Sequence, residues 1–134
     1  MVKMTKEVMD TIAKQNPVPV ATSSANGIPN VALVGFLKVM DAETILISDN
    51  FFLKTEDNLK HNPKVAFVVY DSYTRKCFQI KGSVKMITDG KIFDEMKQWV
   101  DSAKPNMPKK AAVVVHVEEV YDSLPGPHAG AQIL

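Results

Sequence analysis

From Val18 onward the chain is a succession of short, apolar, β-branched runs broken by turn signals, and the links between most of them are too short for crossover helices. Residues 18–22 and 31–40 flank Ala25-Asn26-Gly27 and read as a hairpin. A turn at Asp41-Ala42-Glu43 leads into a strand over residues 44–47, and residues 65–70 are apolar enough for a central strand. Phe78, Ile80, Gly82, Val84 and Met86 alternate along a long strand in which Gly82 marks a bend or bulge; residues 111–120 form the last strand. The prediction is a mainly β fold, an antiparallel six-stranded barrel with flanking helices.

Three helices complete the pattern. Met4, Val8, Met9, Ile12 and Ala13 share one face of a helix that Asn16-Pro17 stops, and residues 54–61 form a short helix ended by Asn62-Pro63. After Asp89-Gly90, the residues Ile92, Phe93, Met96, Trp99 and Val100 follow helical spacing, a stripe expected to pack on the core. Lys104-Pro105-Asn106-Met107-Pro108 is a rigid connection. No repeat or internal boundary divides the 134 residues, so one domain over residues 1–134 is expected, with 121–134 an irregular C-terminal tail wrapping a surface.

Charge removes several function classes. Sixteen Lys plus Arg against fifteen Asp plus Glu leave a net charge of +1, and Arg75 is the single arginine, so neither nucleic acid nor an anionic membrane is an expected partner. Cys77, alone, forms no intrachain disulfide and reads as a structural thiol; with no secretory signal and no run of ~20 apolar residues, a soluble, cytoplasmic protein is expected. His61, His116 and His128 are too scattered for a metal site. Gly-x-Ser-x-Gly, Gly-x-Gly-x-x-Gly and the phosphate-binding Gly-x-x-x-x-Gly-Lys-Ser/Thr loop are all missing, and no side chain stands out as a catalytic acid or base.

The most informative stretch is strand 44–47, the loop 48–53 and the helix opening at Lys54-Thr55. A helix N-terminus offers unpaired amides and a positive dipole end to a phosphate, Lys54 adds a charge and Thr55 a hydroxyl. The competing reading is that Thr55 caps the helix and Lys54 is solvated. A chain poor in catalytic side chains can still perform chemistry through a cofactor.

The segments Asn30-Val31-Ala32-Leu33-Val34-Gly35-Phe36 and Lys54-Thr55-Glu56-Asp57-Asn58-Leu59-Lys60-His61-Asn62-Pro63-Lys64-Val65 resemble the FMN-binding split barrels related to pyridoxamine 5′-phosphate oxidase, in particular the small single-domain type. The resemblance implies a homodimer with FMN near the subunit interface. It implies phosphate binding by Lys54 and Thr55 with help from Asn58. Backbone groups of Ala32, Leu33, Val34 and Gly35 would lie along the isoalloxazine edge, and Ser48, Asp49 and Asn50 near the ring or ribityl chain. Trp99, Lys109, Lys110 and His128 are candidates for contacts made across the dimer, with core packing and solvation as their competing roles. Where the oxidase proper has an Arg-x-Val-Leu pattern, this chain has Asn30-Val31-Ala32-Leu33, and vitamin B6 oxidation is not expected. The expected function is an FMN-dependent oxidoreductase, or a flavin reductase-like protein, acting on an unknown small substrate or redox partner. The alternatives are a non-catalytic FMN electron carrier and a ligand-binding or sensory barrel using a deazaflavin or haem.

Overall fold

The computed structural model describes residues 2–134. Its elements are α1 (Lys6–Lys14), β1 (Val18–Ser23), β2 (Pro29–Val34), β3 (Leu37–Val39), β4 (Thr44–Asp49), α2 (Lys54–His61), β5 (Lys64–Asp71), β6 (Lys76–Ile87), α3 (Lys91–Ala103) and β7 (Ala111–Asp122). The strands form one antiparallel sheet in the order β2-β1-β5-β6-β7-β4-β3.

That order forces the sheet to roll up. Laid flat, the outermost of seven strands would be roughly 29 Å apart. Yet β2 ends at Val34 and β3 begins at Leu37, on the opposite margin. Three extended residue steps reach about 11 Å at most, so the margins must approach one another there. The Ser48 N–H, on β4, donates to the Phe36 carbonyl at 3.0 Å, carrying the β3–β4 ladder one step into this link and holding it against β4. The result is a split barrel. It has seven strands because the run over residues 31–40 breaks at Gly35-Phe36, where the chain passes from one margin to the other.

The barrel interior is filled by Ile45, Ile47, Val65, Phe67, Ile80, Val113 and Val115, among others, and α1 closes one end with Val8 and Ile12. Thr5 starts α1, its Oγ1 accepting from the Val8 N–H. Alternate residues of β4 and β7, Leu46, Ala112 and Val114, face outward under Met96 and Val100 of α3. Burial on both faces explains why these two strands read as unbroken apolar runs. In α3, the methionine and aromatic stripe packs on this second core, as the spacing predicts. The β6–β7 register shifts between Lys81 and Gly82. A Cβ on Gly82 would lie 2.4 Å from the His116 carbonyl oxygen, so glycine is required by the close approach of β7.

The last strand runs on to Asp122, and the tail then doubles back along it. The Asp122 N–H donates to the Ala131 carbonyl at 2.9 Å and the Ile133 N–H to the Val120 carbonyl at 2.9 Å. Among the described residues no helix is long and apolar enough to cross a membrane, and no cluster of three His, Cys, Asp or Glu could hold a metal ion.

Candidate functional site

A cavity of about 420 Å³ opens at the seam. One wall is β2 and the link after it, including Ala32, Leu33, Val34 and Gly35; the other is Ser48 of β4, the loop Asn50 to Leu53 and the opening residues Lys54 and Thr55 of α2. Lys104 and Met107, from the connection after α3, complete its rim. Eight of the ten residues singled out in the sequence therefore line one cavity. Asn58 lines an adjoining one, and Asp49 lines neither.

Helix α2 begins without a side-chain cap. Its N-cap position is Leu53, which has no capping oxygen, so Thr55 does not take the capping role. The Asp57 N–H bonds back to the Leu53 carbonyl, and the amides of the first turn before it have no side-chain acceptor. Thr55 is buried instead against β2, its Oγ1 accepting from Asn30 Nδ2 at 3.1 Å. Asn30 also donates to Thr22 Oγ1, as does Asn58, at 3.3 and 3.0 Å. Four polar side chains thus pin α2 onto β1 and β2. Asn30 is neutral and engaged in this network, which leaves Lys54 and Lys104 as the two cations on the cavity wall. The ion pairs around Glu56, to Lys60 at 3.2 Å and to Lys110 at 3.0 Å, do not involve Lys54.

Asn50 is held at the cavity floor by its Oδ1, which accepts from the Ser48 hydroxyl and from the Lys109 N–H, both at 3.0 Å. Its amide nitrogen takes part in neither bond and can donate to a ligand. Gly35 lines the cavity with an unremarkable φ, and a Cβ built on it meets no atom of the chain within 4 Å. Packing within the chain does not call for glycine there.

Asp49 supports the site from behind. It is fully buried, its Oδ1 accepts from the Phe52 N–H at 3.0 Å, and Oδ2 has no hydrogen-bond partner among the described residues. Lys110 Nζ donates to the Phe52 carbonyl at 2.7 Å and lies 3.6 Å from Asp49 Oδ1, so it clamps the loop 50–53 to the start of α2. Burial, reinforced by the Glu56 carboxyl, pushes Asp49 up to about 6. Interaction with Asp49, and then with Lys110 and Lys60, holds Glu56 down at about 2. Lys109 is likewise engaged within the chain, with Asp101 at 2.8 Å and the Met107 carbonyl at 2.6 Å. Trp99 is half-buried, its ring edge-on to Phe36 at 5.5 Å with Lys38 Nζ 4.5 Å from its centre, while His128 is exposed in the tail.

Residues 4–124 match the family described as pyridoxamine 5′-phosphate oxidase. The chain belongs to that family. Protein MJ0282 of Methanocaldococcus jannaschii is 36% identical to this chain over 139 residues, covering 99% of this chain and 89% of the relative. The crystal structure of HupZ from Group A Streptococcus is 27% identical, covers 97% of this chain and all of that one, and superposes with a TM-score of 0.81. An FMN-binding protein from Syntrophomonas wolfei shares the fold at 22% identity and a TM-score of 0.69, covering 86% of this chain and 85% of that one. Fold alone is also shared with an F420 reductase and with HutZ, the haem storage protein of Vibrio cholerae, at TM-scores of 0.67 and 0.69. Family membership therefore agrees with a flavin-type site without choosing among these cofactors.

Sequence reasoning passed over two contributors to the site. Thr22 is an ordinary strand residue until α2 folds against it, and Lys104 sits in a stretch legible only as a rigid connection. Asn30 is visible in the sequence as the residue that replaces the arginine of the oxidase pattern, but its bonds to Thr22 and Thr55 are not.

Proposed function

We propose that the cavity at the seam binds FMN, and that the protein is an FMN-dependent oxidoreductase acting on a small substrate or a redox partner. The observation that carries this reading is the opening of α2: an uncapped helix N-terminus with Lys54 outside the local ion pairs and Thr55 set beside it, at the edge of a cavity walled by apolar strand. These groups suit a phosphate monoester. Because Thr55 Oγ1 already accepts from Asn30, its hydroxyl proton is left to donate to a phosphate oxygen. Lys54 and the first-turn amides would supply the charge that an arginine on β2 provides in the oxidase pattern.

The rest of the wall fits a flat heteroaromatic ring. Val34 and Phe36 offer apolar surface, Gly35 leaves room for close backbone approach, and Asn50 presents amide hydrogens to a ring oxygen or nitrogen. Bound flavin would supply the hydride or one-electron chemistry, and the chain would hold it, exclude water with Phe51, Phe52 and Leu53, and set its electronic environment. Among the described residues the cavity lining offers two lysines and an uncapped helix N-terminus, groups that serve a phosphate, and Met107 as its one side chain of a haem-ligating type.

The same reading includes a homodimer. Val31, Leu33, Phe51 and Leu53 are 65–82% exposed around the cavity mouth, Val31 and Leu33 alternating along β2 with Asn30, which holds α2. A second copy placed there would bury these side chains and close the cofactor site. A reducing cytoplasm suits the lone, buried Cys77 thiol.

The test is an absorption spectrum of the purified protein, followed by release and identification of the chromophore. Flavin bands, with FMN as the released species, are the expected result. A colourless preparation that takes up no flavin from solution refutes the reading.

A further inference from the structure

Two carboxyl groups meet behind the phosphate position proposed above. Asp49, at the end of β4, is fully buried, and its side chain reaches the Glu56 carboxyl on the first turn of α2. An ionised carboxylate can only accept hydrogen bonds. Asp49 Oδ1 takes the Phe52 N–H at 3.0 Å, and no donor among the described residues reaches Oδ2. One proton held between the two carboxyls satisfies that buried oxygen; with none there, like charges face each other away from water.

One cation serves both groups. Lys110 Nζ, from the connection after α3, stands 3.0 Å from Glu56 Oε2 and 3.6 Å from Asp49 Oδ1, and it donates to the Phe52 carbonyl at 2.7 Å. On α2, Lys60 pairs with Glu56 Oε1 at 3.2 Å, while Asp57 is exposed and faces His61 at 3.6 Å. Lys109 is turned to Asp101 instead, and β7 sets the uncharged Ala111 opposite Asp49. Loss of the shared proton makes this cluster more negative by one charge. The change falls on the first turn of the same helix whose opening offers Lys54 and Thr55 to a phosphate, and it repels the anion there.

Resting on the flavin reading, we infer that Asp49 is a positioning residue for the cofactor phosphate: the proton it shares with Glu56 and the phosphate at the α2 opening favour each other, so FMN affinity falls as that proton is lost. The linkage is reciprocal, and its window follows from Asp49 titrating at about 6. A bound phosphate raises that value, so this contribution to affinity is full below pH 6 and declines above it. The FMN phosphate loses its own second proton at about pH 6 and acts in the opposite sense, so the measurement has to cancel it.

Flavin fluorescence titrations of the wild type, Asp49→Asn and Glu56→Gln with FMN and with riboflavin, from about pH 5.5 to 8, provide that cancellation. Neither variant can carry more than one negative charge on the pair, and Asp49→Asn keeps the acceptor for the Phe52 N–H. Circular dichroism checks folding, and Glu56, 26% exposed, carries the same comparison should the buried substitution fail to fold. The ratio of wild-type to variant dissociation constants for FMN is expected to rise about fivefold from the acid to the alkaline end, the effect of one added charge seen through screening. For riboflavin, which lacks the phosphate, the ratio should stay within about twofold. An FMN ratio that does not change with pH, or one that riboflavin matches, overturns the inference and leaves the flavin reading standing. If neither flavin binds at any pH, both fall together.

Discussion

Replacing Lys54 by alanine tests the phosphate assignment most directly. The lysine is exposed and stands apart from the Lys60–Glu56 and Lys110–Glu56 pairs, so its removal frees no buried carboxylate and should leave stability within about 0.5 kcal/mol. A charge-assisted hydrogen bond to phosphate is worth ~1.5–3 kcal/mol, and exposure places this one toward the lower end. At 1.4 kcal/mol per factor of ten, the dissociation constant for FMN should rise by about 10- to 100-fold. The helix dipole, worth a further ~0.3–1 kcal/mol, is untouched and keeps the variant from losing phosphate binding altogether. Riboflavin supplies the control: lacking the phosphate, it should bind wild type and Lys54→Ala within about twofold of each other. Titration by flavin fluorescence quenching at two salt concentrations reads both quantities, and the FMN difference should shrink as salt rises. Equal FMN affinities in the two proteins, or an equal loss for riboflavin, would refute the reasoning.

Three further outcomes follow from the geometry. Gly82→Ala should destabilise the fold by about 2 kcal/mol or more, because the neighbouring His116 carbonyl is backbone and cannot swing away; a denaturant midpoint equal to that of wild type contradicts this. Asp49, raised to about 6 in the fold, binds more protons folded than unfolded between roughly pH 4 and 6, so its contribution is fully present below its unfolded value and is lost as pH rises through about 6; Glu56, lowered to about 2, acts in the opposite sense only below its ordinary value. Stability measured by urea melts should therefore fall between about pH 4.5 and 6, and Asp49→Asn, which keeps the acceptor for the Phe52 N–H, should flatten that slope; an unchanged slope rejects the assignment. Val31→Glu with Leu33→Lys should convert a sedimenting dimer into a folded monomer, and a wild type that sediments as a monomer with flavin bound removes the interface from the proposal.

Hydrophobic patterning made most of the barrel readable. The hairpin of β1 and β2, the alternation along β6 and the runs of β4 and β7 all have local causes, and their positions in the chain agree with the ladder registers. The break at Gly35-Phe36 was invisible because the apolar rhythm continues across it; what changes is the sheet margin to which the chain is paired, a non-local fact. The helix opening at Lys54 and Thr55 was readable for the converse reason, since a strand, a loop and an uncapped turn lie within a few residues. Asp49 shows the limit. Beside Ser48 and Asn50 it reads as loop, but Lys110, sixty-one residues on, and Phe52 draw it into the interior at the end of β4.

The two-residue step between opposite margins also sets where a bound molecule acts mechanically. Anything lodged between residues 32–35 and Ser48, Asn50 and the start of α2 ties the β2 margin to β4 and the loop after it like a rivet, beside a slit where the marginal strands β2 and β3 are not paired with each other. Occupancy and integrity of the cylinder then become one equilibrium: at a ligand concentration a hundred times its dissociation constant, the folded form gains about 2.7 kcal/mol. An emptied chain should gape first at that slit, with amide exchange rising in β2 and β3 before it rises in β6 and β7.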